Sequence, residues 1–196
     1  MHGTDEGNIK KNKFEIVVIG GSAGSFPVVS RMLEKLNPAF KLPIVMCLHR
    51  LKDKREGFKE ALEIKSVLPV IEPNDKDLIE PGKVFIAPAN YHLLIETKER
   101  FGLATTELIQ YSRPSIDVLF DSCADVFMDK TLSIMLSGAN KDGAFGVKRI
   151  KKKGGGVVVQ DLKECSMTTM PEAAINAAKP DMILPSMKIV EYLNRL

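Results

Sequence analysis

Short apolar runs alternate with amphipathic helical segments along most of the 196-residue chain, and this alternation constrains the fold more than any other feature. Apolar runs predict buried strands at 15–19, 43–48, 131–136, 156–160 and 182–184. Helical spacing predicts helices at 27–36, 56–64, 114–128, 143–152, 171–178 and 187–196. Strands that alternate with helices of this size form right-handed βαβ units. The sequence therefore predicts a doubly wound α/β fold, with a mostly parallel sheet covered by helices on both faces.

One part of the chain departs from the alternation. Three short strands are predicted at 83–87, 91–96 and 101–105, and no helix separates them. The last two are predicted to pair as a small antiparallel hairpin. Residues 1–13 are polar and are expected to form a flexible N-terminal tail, which leaves 14–196 as one domain.

Composition and charge exclude several classes of function. The net charge is only +3, and Lys and Arg are concentrated only at 148–153, so nucleic-acid binding is not expected. No apolar run approaches the roughly 18 residues that cross a bilayer, so direct membrane insertion is not expected either. Three cysteines without metal-ligand spacing suggest reduced thiols in the cytoplasm, with no metal.

A glycine-rich loop, Gly20-Gly21-Ser22-Ala23-Gly24, follows the first predicted strand. A dinucleotide-binding loop would need G-x-G-x-x-G and a later acid, but the second predicted strand is followed by His49. The loop does match G-x-S-x-G, which presents a nucleophilic serine on a sharp strand-to-helix turn. Serine also caps helices, so the loop alone leaves Ser22 as either a nucleophile or a cap.

The position of two further residues favours the nucleophile. His49 follows the second predicted strand, and Asp142 follows the strand predicted at 131–136. Parallel strands end at one edge of a sheet, so this edge should receive a serine, a general base and an orienting acid. We expect Nε2 of His49 to face Ser22 and Nδ1 to face Asp142. Alternatives remain: His49 as a structural residue, Asp142 as the cap of the helix near Gly143, and His92 as a rival base.

The chain order Ser, His, Asp differs from that of the α/β-hydrolases. The chain resembles instead the catalytic domain of the CheB chemotaxis protein-glutamate methylesterases, from about Glu15 to the C-terminus. The resemblance rests on the segments VVIGGSAG, LHR, PGKVFIAPANYH, SRPSIDVLF, LSGANKDGAFG and MPEAAI. Aligned on these motifs, the family nucleophile falls on Ser22, its base on His49 and its acid on Asp142.

The resemblance implies hydrolysis of γ-methyl esters of glutamate side chains on chemoreceptors, with glutamine deamidation in some members and no cofactor or metal. The implied partner is the methylated helical region of a membrane chemoreceptor or a similar signalling protein. Backbone N–H groups of Ala23 and Ala139 would hold the oxyanion. Arg113, with Ser112, would position the substrate or brace its own loop. Residues 14–196 would then be a methylesterase-like catalytic domain.

The chain also departs from the family pattern. Many members carry threonine where this chain has Ala23, and Asn140 and Lys141 replace a more glycine-rich segment. Asn140 is expected to preserve the turn by tolerating a positive φ. Familiar members carry a receiver domain before the catalytic domain, so the resemblance is to a single-domain form or to part of a larger protein. Two alternative functions stay open: a non-catalytic binding or regulatory module, and a nucleotide-binding α/β domain.

Overall fold

Seven parallel strands form the central sheet of the computed structural model, which describes residues 13–49 and 57–196. They are β1 (Ile16–Gly21), β2 (Ile44–Leu48), β3 (Val70–Ile71), β4 (Val84–Ile86), β7 (Thr131–Met135), β8 (Gly156–Gln160) and β9 (Met182–Leu184). The order across the sheet is β3-β4-β2-β1-β7-β8-β9. Strands β5 (His92–Ile95) and β6 (Phe101–Ala104) pair antiparallel beside it. The predicted α/β fold with a small hairpin is confirmed.

Helices cover both faces of the sheet. They are α1 (Ser25–Lys35), α2 (Phe58–Glu63), α3 (Ile116–Phe127), α4 (Ala144–Lys152), α5 (Thr169–Ala178) and α6 (Ser186–Leu193). One core cluster joins the sheet to α1, α2 and α6, and the other joins it to α3, α4, α5 and the hairpin. Successive residues of β1 alternate between the clusters, with Val17 in the first and Val18 in the second. Both faces of the sheet are therefore buried, which explains why the strands are unbroken apolar runs in the sequence.

Besides shifts of a few residues at the ends of several elements, two differences between the structure and the sequence predictions concern α3 and β3. Helix α3 begins at Ile116 rather than at Pro114, because Ser115 is its N-cap. Strand β3 was not predicted, since it contains only two residues. The predicted tail, apart from Lys13, and the first residue of the helix predicted at 56–64 lie outside the described residues.

The central strand β1 is the point at which the strand order reverses. It pairs with β2 on one side, where Gly21 lies opposite Leu48, and with β7 on the other, where Gly20 lies opposite Met135. Loops that leave these three strands therefore meet at one edge of the sheet. Open α/β sheets bind ligands in the crevice at such a point.

Two further features bear on the sequence predictions. Among the described residues, no helix combines the length and apolarity needed to span a bilayer. Cys47 and Cys123 are buried, Cys165 is half-buried, and all three are described and form no disulfide.

Candidate active site

Ser22 is the first residue after β1, between the ends of β2 and β7. The backbone N–H of His49 donates to the carbonyl of Gly21 at 3.0 Å, and that of Ser22 donates to the carbonyl of Ser137 at 2.9 Å. Helix α1 has Gly24 as its N-cap and no side-chain cap. The alternative that Ser22 caps the helix is therefore wrong, and the half-buried Ser22 lies at the rim of the crevice.

The turn after Ser22 requires glycine at position 24. Gly24 has a φ of 83°, in the left-handed region that favours glycine. A Cβ at this position would lie 2.5 Å from Cβ of Ser166 and 2.9 Å from Oγ of Ser137. The small residues of the loop thus allow a tight turn that leaves Ser22 outside the helix.

The structure brings His49 and Asp142 into direct contact. Nε2 of His49 lies 2.8 Å from Oδ2 of Asp142. The His49 side chain is 12% exposed and the Asp142 side chain is fully buried. The expectation that Nδ1 would face the acid is wrong. Nδ1 is therefore the ring nitrogen left for a reaction partner.

Asp142 is also built into the start of α3. Its Oδ1 accepts hydrogen bonds from Oγ of Ser115 (2.8 Å) and from the backbone N–H of Asp117 (3.0 Å). Its Oδ2 accepts from the backbone N–H of Ile116 at 2.7 Å, in addition to the contact with His49. Asp142 therefore supports the N-cap residue Ser115 by accepting from the first N–H groups of α3, whereas α4 has Gly143 as its N-cap and no side-chain cap. The predicted cap for the helix near Gly143 is wrong.

Hydrogen bonds keep the buried Asp142 carboxyl group ionised. Burial alone would raise its pKa, but the hydrogen bonds from His49 and from the N–H groups of Ile116 and Asp117 outweigh burial. The net effect lowers the pKa of Asp142 below its ordinary value. A carboxylate at this place stabilises the Nε2–H form of the imidazole and the imidazolium that proton transfer would create.

Asn140 contacts the other side of the His49 ring. Its Nδ2 lies 3.3 Å from Nδ1 of His49, and its Oδ1 accepts from the backbone N–H of Asp142 at 3.1 Å. Asn140 does not have a positive φ, so the expectation that it acts through its backbone is wrong. Sequence reasoning missed this side-chain contact. Lys141 is exposed, and within the described residues it forms no ion pair with Asp142.

Two other candidate residues have structural surroundings. His92 is fully buried, with Nε2 3.0 Å from the carbonyl of Glu107 and Nδ1 accepting from the backbone N–H of Ser115 at 3.2 Å. The prediction of His92 as a rival base is therefore wrong. Nη1 of Arg113 donates to the carbonyls of Thr105 and Thr106 at 2.9 and 2.8 Å. These bonds favour the bracing role of Arg113 over substrate positioning.

Ala23 and Ala139 flank the crevice. Both are exposed, and in the described part of the chain neither backbone N–H meets an acceptor. They are available as donors to a developing oxyanion, the role expected of them. Across residues 13–49 and 57–196, no three His, Cys, Asp or Glu side chains converge on a possible metal site.

Comparison with known proteins identifies relatives of the whole domain. The family model described as CheB methylesterase matches residues 17–193. A Leptospira interrogans protein named putative protein-glutamate methylesterase/protein-glutamine glutaminase is 41% identical over 93% of this chain and 95% of its own. A Thermotoga maritima protein-glutamate methylesterase/protein-glutamine glutaminase is 33% identical over 93% of this chain, which spans only 54% of that protein.

A solved structure shows the same architecture. The crystal structure of the Thermotoga maritima CheB methylesterase catalytic domain matches with a TM-score of 0.87 and 32% identity. The match covers 92% of this chain and 97% of that one. On the family model, the relatives and the shared fold, this chain belongs to the CheB methylesterase family.

Proposed function

We propose that the chain is a serine hydrolase that removes methyl esters from glutamate side chains of chemoreceptor-type proteins. The contact between His49 and Asp142 carries the proposal, because it lies beside Ser22 at the crevice of the sheet. Family membership and the names of the relatives supply the substrate class. The same site would deamidate glutamine, since an amide and an ester form similar acyl-enzymes.

The proposed mechanism uses Nδ1 of His49 as the base. Asp142 accepts a hydrogen bond from the N–H at Nε2, so the lone pair lies on Nδ1. Nδ1 removes the Ser22 proton as Oγ attacks the ester carbonyl, and the N–H groups of Ala23 and Ala139 stabilise the oxyanion. Methanol leaves with the proton from His49. Water, deprotonated by the same imidazole, then hydrolyses the acyl-enzyme and regenerates Ser22.

The proposed partner is the methylated helical region of a membrane chemoreceptor or a similar signalling protein, reached from the cytoplasm. Exposed apolar side chains support docking of a helix beside the crevice. Phe145 lies three residues after Asp142 and is 55% exposed. Met167 is 41% exposed, and it lies next to the loop of Asp142 because its backbone carbonyl accepts a hydrogen bond from the N–H of Gly138. Residues 14–196 act in this proposal as the catalytic domain.

Labelling with a fluorophosphonate tests the proposal against a non-catalytic binding module. We expect one phosphonyl group per chain, located on Ser22 by peptide mass spectrometry, and none on the Ser22→Ala variant. Ser186→Ala is the matched control, because Ser186 is also a half-buried serine just after a strand of the same sheet. Absence of label from the folded wild-type protein would support the binding module instead.

A further inference from the structure

The nitrogen that must act as base is already in contact with another side chain. Nε2 of His49 faces Asp142 at 2.8 Å, and Nδ1 faces Nδ2 of Asn140 at 3.3 Å. In the described part of the chain, the Ser22 hydroxyl has no hydrogen-bond partner. The lone pair of the base is thus held by an amide and not by the nucleophile.

The chemistry of the loop determines the orientation of the Asn140 amide. The backbone N–H of Asp142 needs an acceptor, and Oδ1 of Asn140 provides it at 3.1 Å. The NH₂ group must therefore point towards His49, where it can only donate. An imidazole nitrogen that accepts a hydrogen bond carries the lone pair, so Nδ1 is unprotonated and Nε2 bears the proton. The ionised carboxylate of Asp142 requires the same tautomer.

We propose that Asn140 is a positioning residue that occupies the lone pair of His49 in the resting protein, so that the Ser22 hydroxyl must displace the Asn140 amide before it is activated. The inference rests on the proposed function, because it assigns His49 as the base. A ring nitrogen has one in-plane lone pair, so Asn140 and Ser22 compete for it. The amide thereby selects the productive tautomer and slows acylation of Ser22.

Two substitutions separate these effects from the support that Asn140 gives to the loop. Asn140→Ser keeps a side-chain oxygen that can accept from the backbone N–H of Asp142. The shorter side chain of serine cannot reach His49. Asn140→Asp keeps the size and the loop contact, and it replaces the donor facing Nδ1 with an acceptor. Both variants should preserve the turn, and only their effects on the imidazole should differ.

The second-order rate of fluorophosphonate labelling should change in opposite directions. We expect Asn140→Ser to label about fivefold faster than wild type, the effect of losing one neutral hydrogen bond that competes with Ser22. We expect Asn140→Asp to label at least about tenfold more slowly, because its carboxylate favours a proton on Nδ1. Equal rates in the three proteins, or slower labelling of Asn140→Ser, would overturn the proposal.

Nitrogen-15 NMR of His49 provides a readout that does not depend on turnover. In a Ser22→Ala background, Nδ1 should give the signal of an unprotonated, hydrogen-bonded nitrogen, and Asn140→Asp should add a proton at Nδ1 while Nε2, which faces Asp142, keeps its own. A purely structural role for Asn140 would leave both nitrogen signals unchanged. If no protein is labelled, the proposed hydrolase function fails. The NMR signals still decide whether the Asn140 amide donates a hydrogen bond to Nδ1 of His49.

Discussion

Nε2 of His49 lies 2.8 Å from Oδ2 of Asp142, and the same carboxylate receives two backbone N–H groups from the first turn of α3. The acid of the candidate site therefore also satisfies N–H groups at the start of a core helix. Any change to Asp142 acts on the imidazole and on the fold together. Variants of Asp142 should therefore lose both activity and stability, whereas variants of Ser22 should lose activity alone.

Asp142→Asn should impair both activity and stability. Donors face both carboxylate oxygens, so an amide must turn its NH₂ group towards the backbone N–H of either Ile116 or Asp117. A mispaired buried group of this kind costs about 1–3 kcal/mol of unfolding free energy. Turnover should fall by about 10³- to 10⁴-fold, because an amide does not hold the required tautomer. Denaturant unfolding and rates of methanol release measure the two effects.

Asp129→Asn is the matched control for this variant. Asp129 is exposed in a short 3₁₀ turn after α3, and its substitution should change neither property. An Asp142→Asn protein with wild-type turnover would contradict the role proposed for the acid.

Gly24→Ala should destabilise the protein more than Gly57→Ala does. Both glycines are helix N-caps with similar φ values, 83° and 80°, so both substitutions carry the same backbone strain of about 1–2 kcal/mol. Only Gly24 is crowded, with Ser166 and Ser137 within 3 Å of a new Cβ, whereas no described atom lies within 4 Å of one at Gly57. Chemical denaturation of both variants measures the difference, and equal losses would show that the turn tolerates a side chain.

Titration of Asp117 should lower the free energy of unfolding as the pH rises from about 4 to about 7. Burial, with the nearby charge of Asp142, raises the pKa of Asp117 to about 6, against the opposing hydrogen bond from the N–H of Gly146. A raised pKa means that the folded state holds the proton more tightly than the unfolded chain. The resulting stabilisation is complete below the unfolded pKa of about 4 and is lost as the pH passes through the folded value.

Asp117→Asn should flatten this part of the pH dependence. The difference between the folded pKa of about 6 and the unfolded pKa of about 4 corresponds to roughly 3 kcal/mol, which sets the upper limit of the effect. The lowered pKa of Asp142 acts in the opposite direction and removes stability only as the pH falls through the acidic range. Thermal unfolding of wild type and variant at pH 4, 5, 6 and 7 measures the two slopes. Parallel curves would show that Asp117 does not titrate in this window.

Much of the fold was predictable because it depends on local patterns. The apolar run that contains β1 ends at Gly20 and Gly21, and such runs indicate strands buried on both faces. The rule that parallel strands share one carboxyl edge then placed Ser22, His49 and Asp142 together. Strand β3 was missed because two residues, Val70 and Ile71, give no periodicity.

The details of the site depend on contacts distant in sequence, which local patterns do not encode. Asp142 binds N–H groups in the first turn of α3, which lies 26 residues earlier in the chain, and does not cap the adjacent α4. The ring orientation of His49 follows from where α3 holds that carboxylate. The Asn140 contact joins residues 91 positions apart. Only Ser115 carried a local signal, since a serine just before an apolar helical run is a common N-cap.

Methanol release from a helical peptide that contains a glutamate γ-methyl ester tests the central claim most directly. We predict that the wild-type protein releases methanol and leaves glutamate, whereas a folded Ser22→Ala variant with unchanged thermal stability releases none above the uncatalysed background. Turnover by Ser22→Ala at the wild-type rate would contradict the assignment of Ser22 as the nucleophile.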